Sequence, residues 1–224
     1  MVKHPAAAYP SRFIIYLRYL STARRLSVPG QRPTPRDAIR YFAAFGHCHK
    51  LLVQLRWPEG KVTCPQCGSE RVCYLVGNRV WKCYAAHPQP RFSLKTGTIF
   101  HGSPIPWEKW LPAAWIWLNS ENAISSWQLH RTLNVTQKTA WFMLHRIRLA
   151  LEGWSSPKTS RAQPSNRKAA PFEMTAEFAR FRGAIEYLLG VSKSTLDERV
   201  ARARAASPRR TNPHPPGLKP RPRA

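Results

Sequence analysis

The stretch that decides the fold is Cys64-Pro-Gln-Cys67-Gly68, followed by Cys83-Tyr-Ala-Ala-His87, with 15 residues between Cys67 and Cys83. Each pair of potential ligands is two or three residues apart, a spacing that one tight backbone knuckle can present to a metal. Zinc takes four such ligands in a tetrahedron, so the two knuckles predict one site made of Cys64, Cys67, Cys83 and His87. Four protein ligands leave no open position, and the predicted Zn²⁺ is therefore structural.

The segment between the knuckles predicts a β-hairpin. Arg71–Val76 and Arg79–Cys83 are rich in β-branched and aromatic residues, and Gly77-Asn78 between them is typical of a turn. Gly68 suits the positive φ that ends a knuckle, and Arg91–Leu94 predicts a third strand. Spacing and hairpin together predict a zinc ribbon.

A simpler interpretation of the same residues is a set of buried thiols or a disulfide, with His87 an ordinary surface histidine. Five cysteines is an odd number, and the C-x-x-C pair favours metal binding in a reducing compartment over a disulfide framework. Cys73 in mid-strand is interpreted as a small packing residue. Cys48 has no second ligand pair nearby, so neither is assigned to the metal.

The charge of the chain predicts a polyanionic partner. Its 224 residues include 36 Lys and Arg against 11 Asp and Glu, a formal net charge of +25 that self-repels without counter-charge. Nucleic acid fits this balance best. A membrane partner is not expected, because the apolar run Phe13–Leu17 is far shorter than the ~18 residues of a membrane span, and there is no amphipathic anchor.

Composition divides the chain into seven regions. They are an irregular basic leader (1–35), a helical lead-in (36–62), the zinc ribbon (63–100), a helix-turn-helix region (101–154), a linker (155–171), a short helical segment (172–206) and a basic Pro-rich tail (207–224). The tail holds six Pro and five Lys or Arg, which cannot build a core and predict disorder. The leader lacks acidic residues, which is also typical of a transit peptide or of an upstream extension read in frame.

The segment 172–206 predicts two helices. Phe178, Phe181 and Ile185 recur at helical spacing and Gly190 follows as a stop. Ser194-x-x-Asp197 then resembles a capping box that opens a second helix.

A tryptophan-rich helix precedes the helix-turn-helix region. One apolar stripe at helical spacing is formed by Trp107, Trp110, Leu111, Ala114, Trp115 and Leu118. The stripe predicts a core helix, although exposed tryptophans could also stack on bases. Pro112 is expected to kink this helix or to lie in its first turn.

Residues 125–151 predict a helix-turn-helix. Ser125-x-x-Gln128 is a capping box for a helix through Leu133, and Thr136 can cap a second helix through Leu151 after a short turn. The first residues of such a second helix reach base edges in the major groove, and basic side chains nearby contact phosphates. The candidate base-reading residues are Gln137, Lys138, Thr139 and Trp141, and the candidate phosphate contacts are Arg131, His145, Arg146 and Arg148. The alternative is a plain helical hairpin with a solvated charged face.

Several of these motifs resemble, in the same order, a known family of insertion-sequence transposases that begin with a zinc ribbon and a helix-turn-helix and end in a DDE-type, ribonuclease-H-like catalytic domain. The matching stretches are Arg56–Gly60, Cys64–Ser69, Val80–Cys83, Phe92–Phe100 and Thr136–Arg148, within about residues 33 to 152. The resemblance implies that Cys64, Cys67, Cys83 and His87 bind zinc. It also implies recognition of the terminal inverted repeats of a transposon, in the bacterial cytoplasm at the nucleoid.

The chain departs from this family where the catalytic domain should begin. After Glu152-Gly-Trp it continues into Ser, Pro and Lys, and its two aspartates, Asp37 and Asp197, lie in unrelated contexts. Two-metal phosphoryl transfer needs several converging carboxylates. We therefore expect a truncated or frame-disrupted transposase that binds DNA and is not an enzyme by itself.

The sequence thus predicts a small α+β fold: a zinc-ribbon β-hairpin followed by a helix-turn-helix bundle, with disordered basic ends. Three functions remain open. The first is a DNA-binding part that occupies transposon ends, alone or with a second copy of itself. The second is one chain of a working DDE transposase whose catalytic part is encoded separately. The third is a zinc-ribbon protein associated with RNA or ribosomes, which needs no base-reading helix.

Overall fold

The computed structural model describes residues 33–120, 123–155 and 172–206. The predicted leader up to residue 32, the predicted linker from residue 156 and the predicted disordered tail lie outside the described residues. The described elements are α1 (Pro35–Phe42), α2 (Phe45–Arg56), β1 (Val72–Leu75), β2 (Val80–Cys83), β3 (Arg91–Phe92), α3 (Trp107–Asn119), α4 (Ser126–Leu133), α5 (Gln137–Ala150), a 3₁₀ turn (Phe172–Met174), α6 (Ala176–Gly190) and α7 (Lys193–Ala205). The small α+β class is confirmed, whereas the division into seven regions stays a prediction.

The three strands form one antiparallel sheet in the order β1-β2-β3. Val72 pairs with Cys83 and Leu75 with Val80, so the register confirms the predicted hairpin. Trp81 pairs with Phe92 on the other side, which confirms the third strand.

The hairpin turn contains the predicted Gly77-Asn78 pair. It spans residues 76–79, and its one positive φ, of 54°, falls on Arg79 rather than on Gly77. The guanidinium of Arg79 lies 4.0 Å from the ring centroid of Phe45 and 3.7 Å from the Glu108 carboxylate. These contacts tie Arg79 to α2 and α3 and offset the cost of a left-handed conformation in a residue with a Cβ.

Trp81 anchors the sheet to the helices. Its ring stacks on His49 of α2 at 5.5 Å and on Phe92 of β3 at 5.9 Å. Tyr74 of β1 and Trp57, just after α2, pack on it at 4.8 and 5.5 Å. A three-stranded sheet this short buries little by itself, so it depends on apolar packing of this kind against the helices.

Helix α3 lies at the centre of the helical part. The predicted stripe is buried except for the half-buried Leu118, but Ala113 and Ile116 on the other side are buried as well. Helices α1, α2, α5 and α6 pack around α3 and leave it little free face. The core interpretation of the tryptophan stripe is therefore confirmed. Pro112 lies in the second turn of the helix and not in the first.

The segment after the predicted linker completes the same core. Helix α6 packs on α2 and α3, and α7 packs on α5. Phe172 contacts Tyr41 of α1 at 4.9 Å and Trp115 of α3 at 5.9 Å, and Phe181 contacts Phe42 at 5.3 Å. Residues 172–206 are therefore an integral layer of the fold.

The predicted stop of α6 at Gly190 is confirmed, whereas the predicted capping box at Ser194 is wrong. The cap is Ser192, whose Oγ accepts a hydrogen bond from the Thr195 amide at 3.1 Å. Ser192 also forms a β-bridge with Thr98, and this tertiary contact sets the residue at which α7 begins.

None of the helices in the described ranges combines the length and the apolarity needed to cross a lipid bilayer.

We expect Phe181→Ala to lower the free energy of unfolding by about 3–5 kcal/mol, because it leaves a cavity where α6 meets α1. Phe181 is fully buried. Met174→Ala is the matched control in the same segment, since Met174 is 77% exposed and should change stability by less than about 0.5 kcal/mol. Urea unfolding of the zinc-loaded chain, followed by tryptophan fluorescence, measures both. Equal effects of the two substitutions would show that the segment is not part of the core.

Candidate metal centre and nucleic-acid interface

The first knuckle is closed by backbone hydrogen bonds. The amide of Gly68 donates to the Cys64 carbonyl at 2.9 Å, and the amide of Cys64 donates to the Ser69 carbonyl at 3.0 Å. Gly68 has a φ of 70°, as predicted, and a residue with a Cβ would be strained there. The turn aims both Cys64 and Cys67 toward the same side.

The second knuckle begins at the end of β2. The amide of Cys83 donates to the Pro90 carbonyl at 2.7 Å, and the amide of Ala85 donates to the Cys83 sulfur at 3.4 Å. An amide directed at a sulfur stabilises the thiolate form that a metal requires. The chain then turns back and brings His87 over Cys64.

The four predicted ligands converge on one point. One ligand atom from each of Cys64, Cys67, Cys83 and His87 lies within 4.8 Å of all the others. Cys64 Sγ is 3.6 Å from His87 Nε2, and Cys67 Sγ is 3.6 Å from Cys83 Sγ. A zinc tetrahedron with ordinary bond lengths has edges of roughly 3.8 Å between sulfurs and roughly 3.6 Å between sulfur and imidazole nitrogen. The donor set and its spacing therefore fit a structural Zn²⁺.

The surroundings of Cys64 agree with this fit. Burial opposes ionisation of Cys64, but hydrogen bonds from the amides of Gln66 and Cys67 and from neighbouring thiols outweigh it and lower the pKa of the Cys64 thiol. Nε2 of His87 is turned toward Cys64, whereas its Nδ1 is buried and has no hydrogen-bond partner among the described residues. A bound metal would cross-link the two knuckles.

The other two cysteines stay off the metal cluster, as predicted. Cys48 is fully buried and donates its thiol hydrogen bond to the Phe42 carbonyl at 3.2 Å, and burial raises its pKa to about 12. Cys73 is exposed, so its interpretation as a packing residue is wrong. Its position in β1, paired with Lys82 of β2, turns its side chain away from the aromatic cluster. All five cysteines are free thiols, so no disulfide joins the two knuckles.

Residues 46–88 match the family model of the transposase zinc-ribbon domain. The match includes all four ligands and most of α2, and it covers less than a quarter of the chain. No curated protein and no solved structure matched the chain. The resemblance to transposases therefore has independent support in the zinc ribbon itself.

Helices α4 and α5 follow the zinc ribbon and are joined by three residues. The predicted capping box is confirmed, because Ser125 and Gln128 each accept a hydrogen bond from the other's amide. Asn134 ends α4 with a φ of 49°, and Thr136 caps α5 by accepting from the Thr139 amide at 3.1 Å. Leu129 and Leu133 of α4 are buried. The inward face predicted for α5, formed by Ala140, Met143, Leu144, Ile147 and Leu151, is also buried.

The structure exposes half of the predicted DNA-contacting residues. Lys138, Trp141, Arg131 and Arg148 are exposed. Lys138, Trp141 and Arg148 lie on one face of α5, because Trp141 is three residues after Lys138 and Arg148 is seven residues after Trp141. No contact with DNA is present to test these assignments, which stay predictions.

The other four predicted residues are partly engaged within the protein. Gln137 donates through its amide to Ser126 Oγ at 3.0 Å, and Thr139 shares a hydroxyl hydrogen bond with Thr136 at 2.8 Å. His145 stacks on Trp141 at 4.9 Å with ring planes 10° apart. The guanidinium of Arg146 lies 4.8 Å from the Phe142 ring centroid and 3.5 Å from the His101 carbonyl.

Sequence reasoning missed two exposed aromatic residues of α4 and α5, Trp127 and Phe142. Trp127, in the first turn of α4, is 59% exposed, comparable with Trp141 at 54%. The helical pattern could have indicated that Trp127 is exposed, because it lies away from the face of α4 that carries Leu129 and Leu133. Exposed tryptophans beside cations are suited to contacts with bases.

We expect the purified chain to hold one zinc ion and Cys64→Ser to lose it, because a tetrahedral structural site does not survive loss of a thiolate. Cys73→Ser is the matched control, since this exposed thiol on the same hairpin lies outside the cluster. Metal content by atomic emission and near-ultraviolet circular dichroism after chelation provide the measurements. A metal-free chain that stays folded in strong chelator would contradict the zinc assignment.

Proposed function

We propose that this chain is the N-terminal, DNA-binding part of a transposase, and that α4 and α5 act as its helix-turn-helix on the terminal inverted repeats. The observation that carries the proposal is the outward face of α5. There Lys138, Trp141 and Arg148 are exposed on a helix pair that follows a transposase-type zinc ribbon, with α3 between them.

The geometry of the helix pair supports base reading. A turn of three residues leaves the N-terminal end of α5 close to α4, the arrangement in which a second helix enters the major groove. The side-chain amide of Gln137 is hydrogen-bonded to Ser126, so Lys138 and Trp141 are the first side chains of α5 that are exposed for contact. Lysine can donate to guanine O6 and N7, and an aromatic ring can pack on a thymine methyl group.

The charge of this part supports a polyanionic partner. Residues 61–150 hold 11 Lys or Arg against Glu70, Glu108 and Glu121. One of these carboxylates, Glu108, is paired with Arg79 at 3.7 Å and so does not offset the exposed face of α5. Such a surface attracts duplex DNA through release of counterions.

We propose further that this chain binds without cutting. Among the described residues, the only group of three or more potential metal ligands is the Cys64, Cys67, Cys83 and His87 cluster. Residues 33–120, 123–155 and 172–206 form no set of carboxylates that could hold two Mg²⁺ ions. Partners would be a second copy of the chain or a separate catalytic transposase chain.

We expect Lys138→Ala to relax sequence preference, because Lys138 contacts base edges in this proposal. Arg131→Ala is the matched control, since it removes the same charge from α4 and should weaken binding about equally for all sequences. Selection of bound duplexes from a random pool, with a parallel pool of RNA, measures both. Selection of RNA over DNA, or an unchanged preference in Lys138→Ala, would favour the RNA-associated function.

We expect the purified chain to leave its selected duplex intact in Mg²⁺, under conditions in which a mobility shift shows that the duplex is bound. Gel analysis of end-labelled DNA reports cleavage and strand transfer. Mg²⁺-dependent turnover by the chain alone would contradict the proposal. Turnover that appears only with a separately encoded catalytic chain would support the second function, a two-chain transposase.

A further inference from the structure

One face of the three-stranded sheet points away from the helices and carries a row of polar side chains. Cys73 pairs with Lys82 across β1 and β2, and Lys82 pairs with Arg91 across β2 and β3. Directly paired residues on neighbouring strands project to the same face, so these three side chains form one row across the sheet. All three are exposed, whereas the next pair along the strands, Trp81 and Phe92, is buried.

Arg71 and Tyr84 extend this face by a second row. The amide of Tyr84 donates to the Arg71 carbonyl at 2.9 Å, which continues the ladder between β1 and β2 by one pair. Each of the two lies two residues along the chain from a member of the first row, so their side chains project to the same side. Tyr84 is 55% exposed, and Lys82 Nζ lies 5.3 Å from the centroid of its ring. The outer sheet face is defined here as Arg71, Cys73, Lys82, Tyr84 and Arg91.

The charge of the outer sheet face is uncompensated. Residues 71–107 contain five Lys or Arg and no Asp or Glu. Two of the five are engaged within the protein, because Arg79 is paired with Glu108 and Lys95 donates to backbone carbonyls. The other three are the cations of the outer sheet face, and none of them forms an ion pair within the described ranges. Cations fixed on a folded sheet without counter-charge repel one another in the free protein and are favoured on a polyanion.

The width of the outer sheet face favours contact with the backbone of a duplex over contact with its bases. Neighbouring strands are about 4.8 Å apart, so three strands are wider than the two-stranded ribbon that the major groove admits. Lysine and arginine side chains suit phosphate oxygens, and a tyrosine can contact the phosphate or the sugar beside it. Contacts of this kind add affinity without sequence preference.

We propose that the outer sheet face of the zinc ribbon binds the sugar-phosphate backbone of duplex DNA, with Arg71, Lys82 and Arg91 on phosphates. The inference rests on the proposed function and extends it. It divides the work of binding between two surfaces, since the outer sheet face supplies affinity for any duplex and Lys138 of α5 supplies sequence preference.

The first test measures binding of the full, zinc-loaded chain to two labelled duplexes, one selected by the wild-type chain and one of random sequence. Affinity is measured between about 50 and 200 mM NaCl, the range in which phosphate contacts change affinity strongly. We expect Lys82→Gln and Arg91→Gln each to reduce the slope of log affinity against log salt by about 1, equally for both duplexes, and the double variant to reduce it by about 2. Each variant is checked for zinc content and thermal unfolding.

Two controls separate a contact from a general loss of charge. Lys82→Arg should keep the slope, because a phosphate contact needs a charge and both side chains carry one. Lys61→Gln removes an exposed charge from the loop before the first knuckle, outside the three strands, and should also keep the slope.

The exposed thiol of Cys73 gives a second test, because it lies in the same row as Lys82 and Arg91. The zinc-loaded chain is labelled with a maleimide, with and without duplex, and peptide mass spectrometry measures the rate at Cys73. We expect labelling to slow about tenfold at a duplex concentration of about ten times the Kd, because only the free chain then reacts. Cys73→Ser should remove the signal.

An unchanged slope in the double variant, or equal labelling of Cys73 with and without duplex, would overturn the inference. So would an equal change of slope in Lys61→Gln, or protection of Cys73 by RNA but not by duplex DNA. The proposed function would survive an unchanged slope if Lys138→Ala still relaxed sequence preference. A wild-type chain that binds neither duplex would overturn both.

Discussion

The fold of the N-terminal half depends on one constraint: four ligand atoms must meet at the base of a short hairpin. Strands of two to four residues cannot bury enough apolar surface to hold themselves together. A metal bound to Cys64, Cys67, Cys83 and His87 would join both ends of the hairpin and supply folding free energy directly. The ring of Trp81 packs on His49 of α2 and so connects the hairpin to the helices.

The helical half depends on a different interaction, the enclosure of α3. Helices from both ends of the described chain pack around it, so neither α1 nor α6 has an independent core. Phe172 and Phe181 fill space against α1 and α3. This enclosure gives the helix pair α4 and α5 a rigid support, which leaves the outer face of α5 free for solvent or a partner.

Rigid support has a functional consequence for a charged surface. Cations on flexible segments lose entropy when they bind, whereas those on packed helices are already positioned. Arg148 lies on α5, and Arg199 of α7 ties the two helices together through the carbonyls of Leu149 and Ala150. The same contacts that stabilise the fold therefore determine where its positive charge lies.

The sequence by itself determined the features whose cause is local. Ligand spacing, the positive φ of Gly68, the capping box at Ser125 and the helical stripes of α3 and α5 depend on neighbours a few residues away, and the structure bears them out. Only tertiary structure decided the positive φ of Arg79, whose guanidinium contacts Phe45 and Glu108. The start of α7 at Lys193 depends likewise on the bridge between Ser192 and Thr98. The packing of α7 on α5 also required the fold, because periodicity shows which face of a helix is buried but not which distant helix covers it.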